Sequence, residues 1–204
     1  MNRLNVKQTA GVELVRRAAS EPAHPASQLD PRGHFRVEHW RGGKRINEYQ
    51  FPNGITDEGK DQLLNAQFDA ATQVTTWYLG LIDDLNFTSL SSGDIYDDIN
   101  QAGNGWDEFT DYTDAGNGDS ALTRPAWTPD PAASQSITNG SPVVFDVTAS
   151  GTVKGVFVVG GGTAPETKGD HAVGSTLWAT ALFGSGDVPV QNGDQLKVTY
   201  TVSA

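Results

Sequence analysis

The apolar residues of this chain come in short runs separated by Gly, Asn, Asp, Ser and Pro, with 23 glycines and 10 prolines in 204 residues. Runs of that kind write many short strands and tight turns, so an all-β body is the first inference. The length suits one domain of ordinary size with an appendage and is enough to bury a real core.

Strand signals begin at His34. The stretch FRVEHW, then RGGK, then RINEYQF reads as a hairpin: Gly42-Gly43 supplies the positive φ values of a two-residue turn, and Phe35, Val37 and His39 alternate with Arg36, Glu38 and Trp40. Thr56 then caps a helix whose first turn carries Asp57 and Glu58 against the positive end of its dipole. That helix is expected to run to about Phe68, with Leu63, Leu64 and Phe68 packing inward. Trp77 to Leu81 is apolar on both faces, which predicts a central strand. Further strands are expected over 120–127, 135–138, 143–147, 152–159, 176–183 and 195–202. In the last, Leu196, Val198, Tyr200 and Val202 face one way and Lys197, Thr199 and Thr201 the other. About eight to ten strands are enough for an antiparallel β-sandwich of the jelly-roll or immunoglobulin kind with one short helix. Residues 83–120 read as acidic surface loops, with a helical turn near Asp94 to Asn100.

Residues 1–33 read differently, as an extended arm ahead of the sandwich domain at 34–204. Large apolar residues are few there, and Pro22, Pro25 and Pro31 break any regular element. Such a segment buries too little surface to offset its own ordering entropy and is expected to be disordered or laid along a neighbouring subunit. Charge divides in the same way. Residues 1–50 hold nine Lys/Arg against five Asp/Glu, so +4; residues 51–204 hold five against twenty, so -15; together they give the formal -11. The acidic body and its scattered cations exclude a nucleic-acid track, and Arg3, Lys7, Arg16 and Arg17 are the candidates for docking the basic front end on an acidic partner.

Catalytic and metal motifs are sparse. The chain has no cysteine, which excludes disulfides, thiolate metal sites and a Cys nucleophile. No apolar run approaches the roughly 18 residues of a membrane span, and charges stand in Met1 to Ser20 where a secretory signal is apolar, so neither membrane nor secretion is expected. Gly160-Gly161-Gly162-Thr163 lacks the following helix a phosphate loop needs, and Gly184-Ser185-Gly186 lacks the spacing of a nucleophile elbow. His24, His34, His39 and His171 are scattered and read as surface or edge residues. Asp111, Asp114, Asn117 and Asp119, on a Gly-rich loop, are hard oxygen donors of the kind calcium uses, without the EF-hand alternation. No catalytic residue and no cofactor is nominated. Of the five tryptophans, Trp106 and Trp127, beside loops and prolines, are the interface candidates.

One combination of segments goes further. Asn53-Gly54-Ile55-Thr56-Asp57-Glu58-Gly59, Thr76-Trp77-Tyr78-Leu79-Gly80-Leu81-Ile82-Asp83, Glu108-Phe109-Thr110-Asp111-Tyr112, Arg124-Pro125-Ala126-Trp127 and Gly151-Thr152-Val153-Lys154-Gly155-Val156-Phe157 resemble, in this order, a family of small structural proteins of tailed bacteriophages. The resemblance spans about residues 34–204. It implies a part of the virion and not an enzyme, and similarity to capsid decoration (cement) proteins implies a homotrimer on the capsid exterior, made in the host cytoplasm and bound to the major capsid protein. The alternative it leaves is a tail or head-fibre component that binds a host-surface receptor through residues 83–120.

Overall fold

The computed structural model describes residues 30–204 apart from 102, 104 and 173. The described residues are mostly antiparallel β with one α-helix. In order it forms β1 (Arg32–Arg41), β2 (Lys44–Ile55), α1 (Asp57–Phe68), β3 (Trp77–Asp83), β4 (Glu108–Phe109), β5 (Tyr112–Asp114), β6 (Ala126–Trp127), β7 (Ser136–Thr138), β8 (Val143–Val147), β9 (Gly151–Gly160), β10 (Thr176–Leu182), β11 (Val188–Val190) and β12 (Asp194–Ser203). Strand neighbours follow the path β4-β3-β9-β10-β2-β1-β12-β8-β5, with β6 and β11 added beside β3 and β9 and β7 beside β12. β2 carries the path round a corner: it pairs with β1 over most of its length, then with β10 through Gly54 and Ile55. The two ends of the path, β4 and β5, are separated in sequence only by residues 110 and 111, so the sheet nearly closes on itself like a barrel.

Local chemistry explains the hairpin and the helix start. Gly42 and Gly43, at φ 56° and 75°, make the turn between β1 and β2, a conformation that costs glycine least. Thr56 caps α1 by accepting from the Gly59 amide at 3.0 Å. The strand expectations at 143–147, 152–159, 176–183 and 195–202 match β8, β9, β10 and β12 to within a residue or two, whereas 120–127 narrows to β6. β1 starts at Arg32, not His34: Arg32 and Gly33 pair with Ser203 and Val202, so the first strand opens two residues ahead of the expected boundary.

Two apolar cores lie on opposite faces of the β3-β9-β10 layer. The larger fills the inside and includes Phe35, Val37, Leu79, Phe145, Val156, Leu196 and Tyr200. The smaller packs Ile82, Tyr96, Ile99, Trp106, Phe157, Val159 and Leu177 on the outside. Its presence corrects the reading of 83–120 as surface loops: Tyr96, Ile99 and Trp106 from that stretch are 1 %, 0 % and 1 % exposed. It also explains why β3 and β9 are apolar on both faces. The helix departs from expectation in the other sense. Leu64 and Phe68 are 47 % and 82 % exposed, because α1 rests on β10 through Gly59, whose added Cβ would stand 2.6 Å from the Trp178 carbonyl oxygen. That close approach presents the neighbouring face to the barrel and turns Leu64 and Phe68 to solvent.

Candidate functional site

The most completely satisfied polar centre is built on Arg124, held just ahead of β6. Its backbone amide donates to the Glu166 carbonyl, and the next carbonyl, that of Pro125, accepts from Leu79 of β3. All five guanidinium N–H donors are used. Nε and Nη2 donate to the two carboxylate oxygens of Glu108 at 2.9 and 2.8 Å; Nη1 donates to the Tyr96 hydroxyl at 3.0 Å and the Pro165 carbonyl at 2.9 Å; Nη2 also donates to the Asp170 carbonyl at 2.9 Å. The guanidinium carbon lies 5.3 Å from the Phe157 ring centroid. Glu108 further accepts from the Tyr112 hydroxyl and the Gly169 amide, and the Tyr96 hydroxyl donates to Asp170. One buried ion pair thus ties together β4, β5 and the segments around residues 96 and 165–170. Burial pushes the Tyr96 hydroxyl up to about 12 and the Tyr112 hydroxyl well above its ordinary value. Both therefore serve as neutral donors. With its donors satisfied from within the chain, this centre is built to clasp loops to the barrel.

A second centre closes the far end of β1 and β12. Asp194 is buried and accepts from Arg41 Nε and Nη2, each at 2.7 Å, and from the Gln191 amide at 3.0 Å, with His39 Nε2 2.8 Å away. The two hydrogen bonds from Arg41 hold its carboxyl below the ordinary range, with His39 adding to the effect. His39 is 3 % exposed, which corrects its reading as a surface or edge residue. His171, half-buried, lies 2.9 Å from the Gln101 amide nitrogen, and His24 falls outside the described residues.

Third is an open apolar groove of about 240 Å³ between α1 and the barrel end where β1 begins. Leu63 and Ala66 of the helix form one wall; Trp77, Trp178, Ile137 and Val202 form the other, all of them half-buried. The Trp77 and Trp178 rings stand 5.6 Å apart. Trp178 Nε1 donates to the Tyr200 hydroxyl at 2.8 Å and Trp127 Nε1 to Asn139 Oδ1 at 3.0 Å, so these two indole N–H groups are satisfied within the protein. Three glutamines, Gln62, Gln67 and Gln73, supply polar groups to its lining.

Set against these centres, the sequence-derived candidates fare unevenly. Trp106 and Trp127 are 1 % and 7 % exposed; they pack in the two cores, so the expectation of an interface is corrected. Loops and prolines beside them are the covers of those cores, not signs of exposure. The calcium candidates are not gathered into a ligand shell: Asp114 is buried and turned onto the Gly116 amide at 2.9 Å, Asn117 donates to Thr123, and Asp111 and Asp119 are exposed. Among the described residues no group of three or more His, Asp or Glu side chains is placed to hold a metal ion, and no helix is long and apolar enough to cross a membrane. Arg3, Lys7, Arg16 and Arg17 lie outside the described residues. Sequence reasoning missed the Arg124–Glu108 pair; the two residues stand inside segments quoted for their resemblance, but nothing in either segment announces the other as its partner. No family model matches the chain, and no curated protein is similar enough in sequence to stand as a relative.

Proposed function

We propose that this protein is a decoration (cement) subunit of a tailed-phage head, a jelly-roll-like scaffold that sits on the capsid exterior as a homotrimer and bridges neighbouring major capsid proteins. The observation that carries this reading is the distribution of cations. Within the barrel, Arg36 and Arg45 are engaged by Glu38 and Glu48, Arg41 by Asp194, and Arg32 by Asp30. Of the five cations in residues 30–50, four are therefore engaged by carboxylates. An acidic partner would then be met by Lys44, at the start of β2, and by the four cations ahead of residue 30: Arg3, Lys7, Arg16 and Arg17. Many such weak contacts on a repeating lattice add up through multivalency. The clasped loops and doubly cored sheet suit a part whose task is to hold shape under load. The receptor-binding alternative calls for Trp106 and Tyr112 to face solvent, and both are 1 % exposed, so decoration is the preferred reading.

The test is binding of the full chain and of residues 30–204 to heads of the phage that carries the gene. The shorter chain keeps β1 whole. It should retain the far-ultraviolet spectrum of a β protein yet no longer sediment with heads, and binding of the full chain should weaken as salt is raised. Undiminished occupancy by the truncated chain overturns the proposal.

A further inference from the structure

We propose that Val12, Leu14 and Val15 of this same chain dock in the apolar groove between α1 and the open end of the barrel. The groove has the volume of a few aliphatic side chains and is lined by Leu63, Trp77, Ile137, Trp178 and Val202, which the described residues leave half-exposed. Apolar ring surface of this kind is covered at a gain in free energy.

Three observations name the occupant. First, the barrel's opening strand starts at the rim of the groove: Gly33 pairs with Val202, itself a groove residue, and Arg32 with Ser203. The preceding residues therefore leave the barrel beside the site. The sixteen residues from 16 to 31 extend to at most about 55 Å, far more than the reach required. A tether of that length gives an effective concentration on the order of millimolar, which favours the chain's own segment over a second copy at ordinary protein concentrations. Second, among residues 1–29 the densest aliphatic stretch is Val12-Glu13-Leu14-Val15. Third, the charges fit. Arg16 and Arg17 follow immediately, and α1 presents exposed Asp61 and, at its cap, Asp69, while Lys60 is engaged with Asp57.

This inference concerns the barrel's own end and narrows the decoration reading: it assigns Arg16 and Arg17 to α1 and leaves Lys44, Arg3 and Lys7 for the capsid contact. Together the two divide the arm: residues 12–17 anchor its root, and Arg3 and Lys7 lie beyond the anchor, where the capsid contact is made.

The absence of cysteine makes the test clean. In the full chain, Val15→Cys is combined with Leu63→Cys, and in a control with Ser150→Cys, which lines a different cleft beside His39. Under mild oxidation at low micromolar concentration, the groove pair should close within one chain and the control pair should not. A crosslink between chains, no crosslink, or equal crosslinking of the control overturns the proposal. A second measurement needs no new bond: Leu14→Asp in the full chain should shift tryptophan emission to the red and increase acrylamide quenching, as Trp77 and Trp178 become wet. Unchanged emission and quenching likewise overturn it. Head binding is scored separately, so loss of docking with retained head binding rejects this inference alone.

Discussion

Arg124 and Glu108 face each other through two hydrogen bonds of 2.9 and 2.8 Å, and neither side chain reaches solvent. They are sixteen residues apart in sequence, and the pair ties β4 and β5 to the segments around residues 96 and 165–170. Burying such a pair costs desolvation that the mutual attraction offsets only when the remaining donors and acceptors are satisfied, as they are here.

Glu108→Gln removes the charge that matches a guanidinium with no route to water. It should destabilise the fold by about 3–5 kcal/mol, read from the denaturant midpoint. Combining it with Arg124→Met should cost clearly less than the sum of the two single changes, because the second removes the charge the first stranded. Additive losses would show that the pair is not the coupled unit described.

Asp194 sets an acid limb. Its folded carboxyl is held below the ordinary value by Arg41 and His39, so its contribution is fully present above the unfolded value of about 3.9 and is lost as pH falls below it toward the folded value. The urea midpoint of the wild type should therefore drop more between pH 6 and pH 3 than that of Asp194→Asn. Glu48, held at about 2 by Arg36, acts in the same direction, and Glu58, Asp83 and Asp114, raised by burial, act in the opposite one. All are common to both proteins and leave the comparison to Asp194. Equal drops would remove the residue from this role.

Gly59→Ala separates contact from propensity. In a solvent-exposed helix the change favours folding by about 1 kcal/mol. Here the new Cβ would lie 2.6 Å from the Trp178 carbonyl oxygen and 3.0 Å from its Cα, both backbone atoms that cannot rotate away, so thermal denaturation should show a net loss of about 1–3 kcal/mol. A raised melting temperature would mean that α1 does not rest on β10 as described.

Trp106 and Phe68 make a contrasting pair. Trp106→Ala empties the outer core and removes the indole donor to Asp94, for an expected loss of about 3–5 kcal/mol. Phe68→Ser, at a site 82 % exposed, should stay within about 0.5 kcal/mol of wild type. Both are read by chemical denaturation, and a reversal of the order would restore the inward-facing helix and the surface loop.

Much of the architecture was legible because it is local. The glycine pair of the first hairpin, the Thr56 cap and the alternation of β12 each depend on residues within a few positions of one another, and each is found where the pattern puts it. Phe68 shows the limit. Helical periodicity says that Leu64 and Phe68 share a face, but not whether that face meets the barrel; Gly59, which decides it, carries no side chain to signal the contact. The same limit hides the outer core: an acidic, loop-rich stretch through which Tyr96, Ile99 and Trp106 are scattered gives no sign that β3 and β9 have a second face waiting for them.

By itself, then, the order of residues determined an antiparallel, turn-rich body, a single capped helix and the separation of a basic leading segment from an acidic remainder. Only the folded molecule decided which face of α1 is wet, where Trp106 and Trp127 go, and that Arg124 meets Glu108 and His39 meets Asp194, partners 16 and 155 residues apart. The reason is physical. Turns, caps and alternation follow from backbone dihedrals and the period of a strand, which neighbouring residues set. Burial and ion pairing depend on what the chain brings back from a distance, and those contacts exist only once the sheet has curled nearly closed.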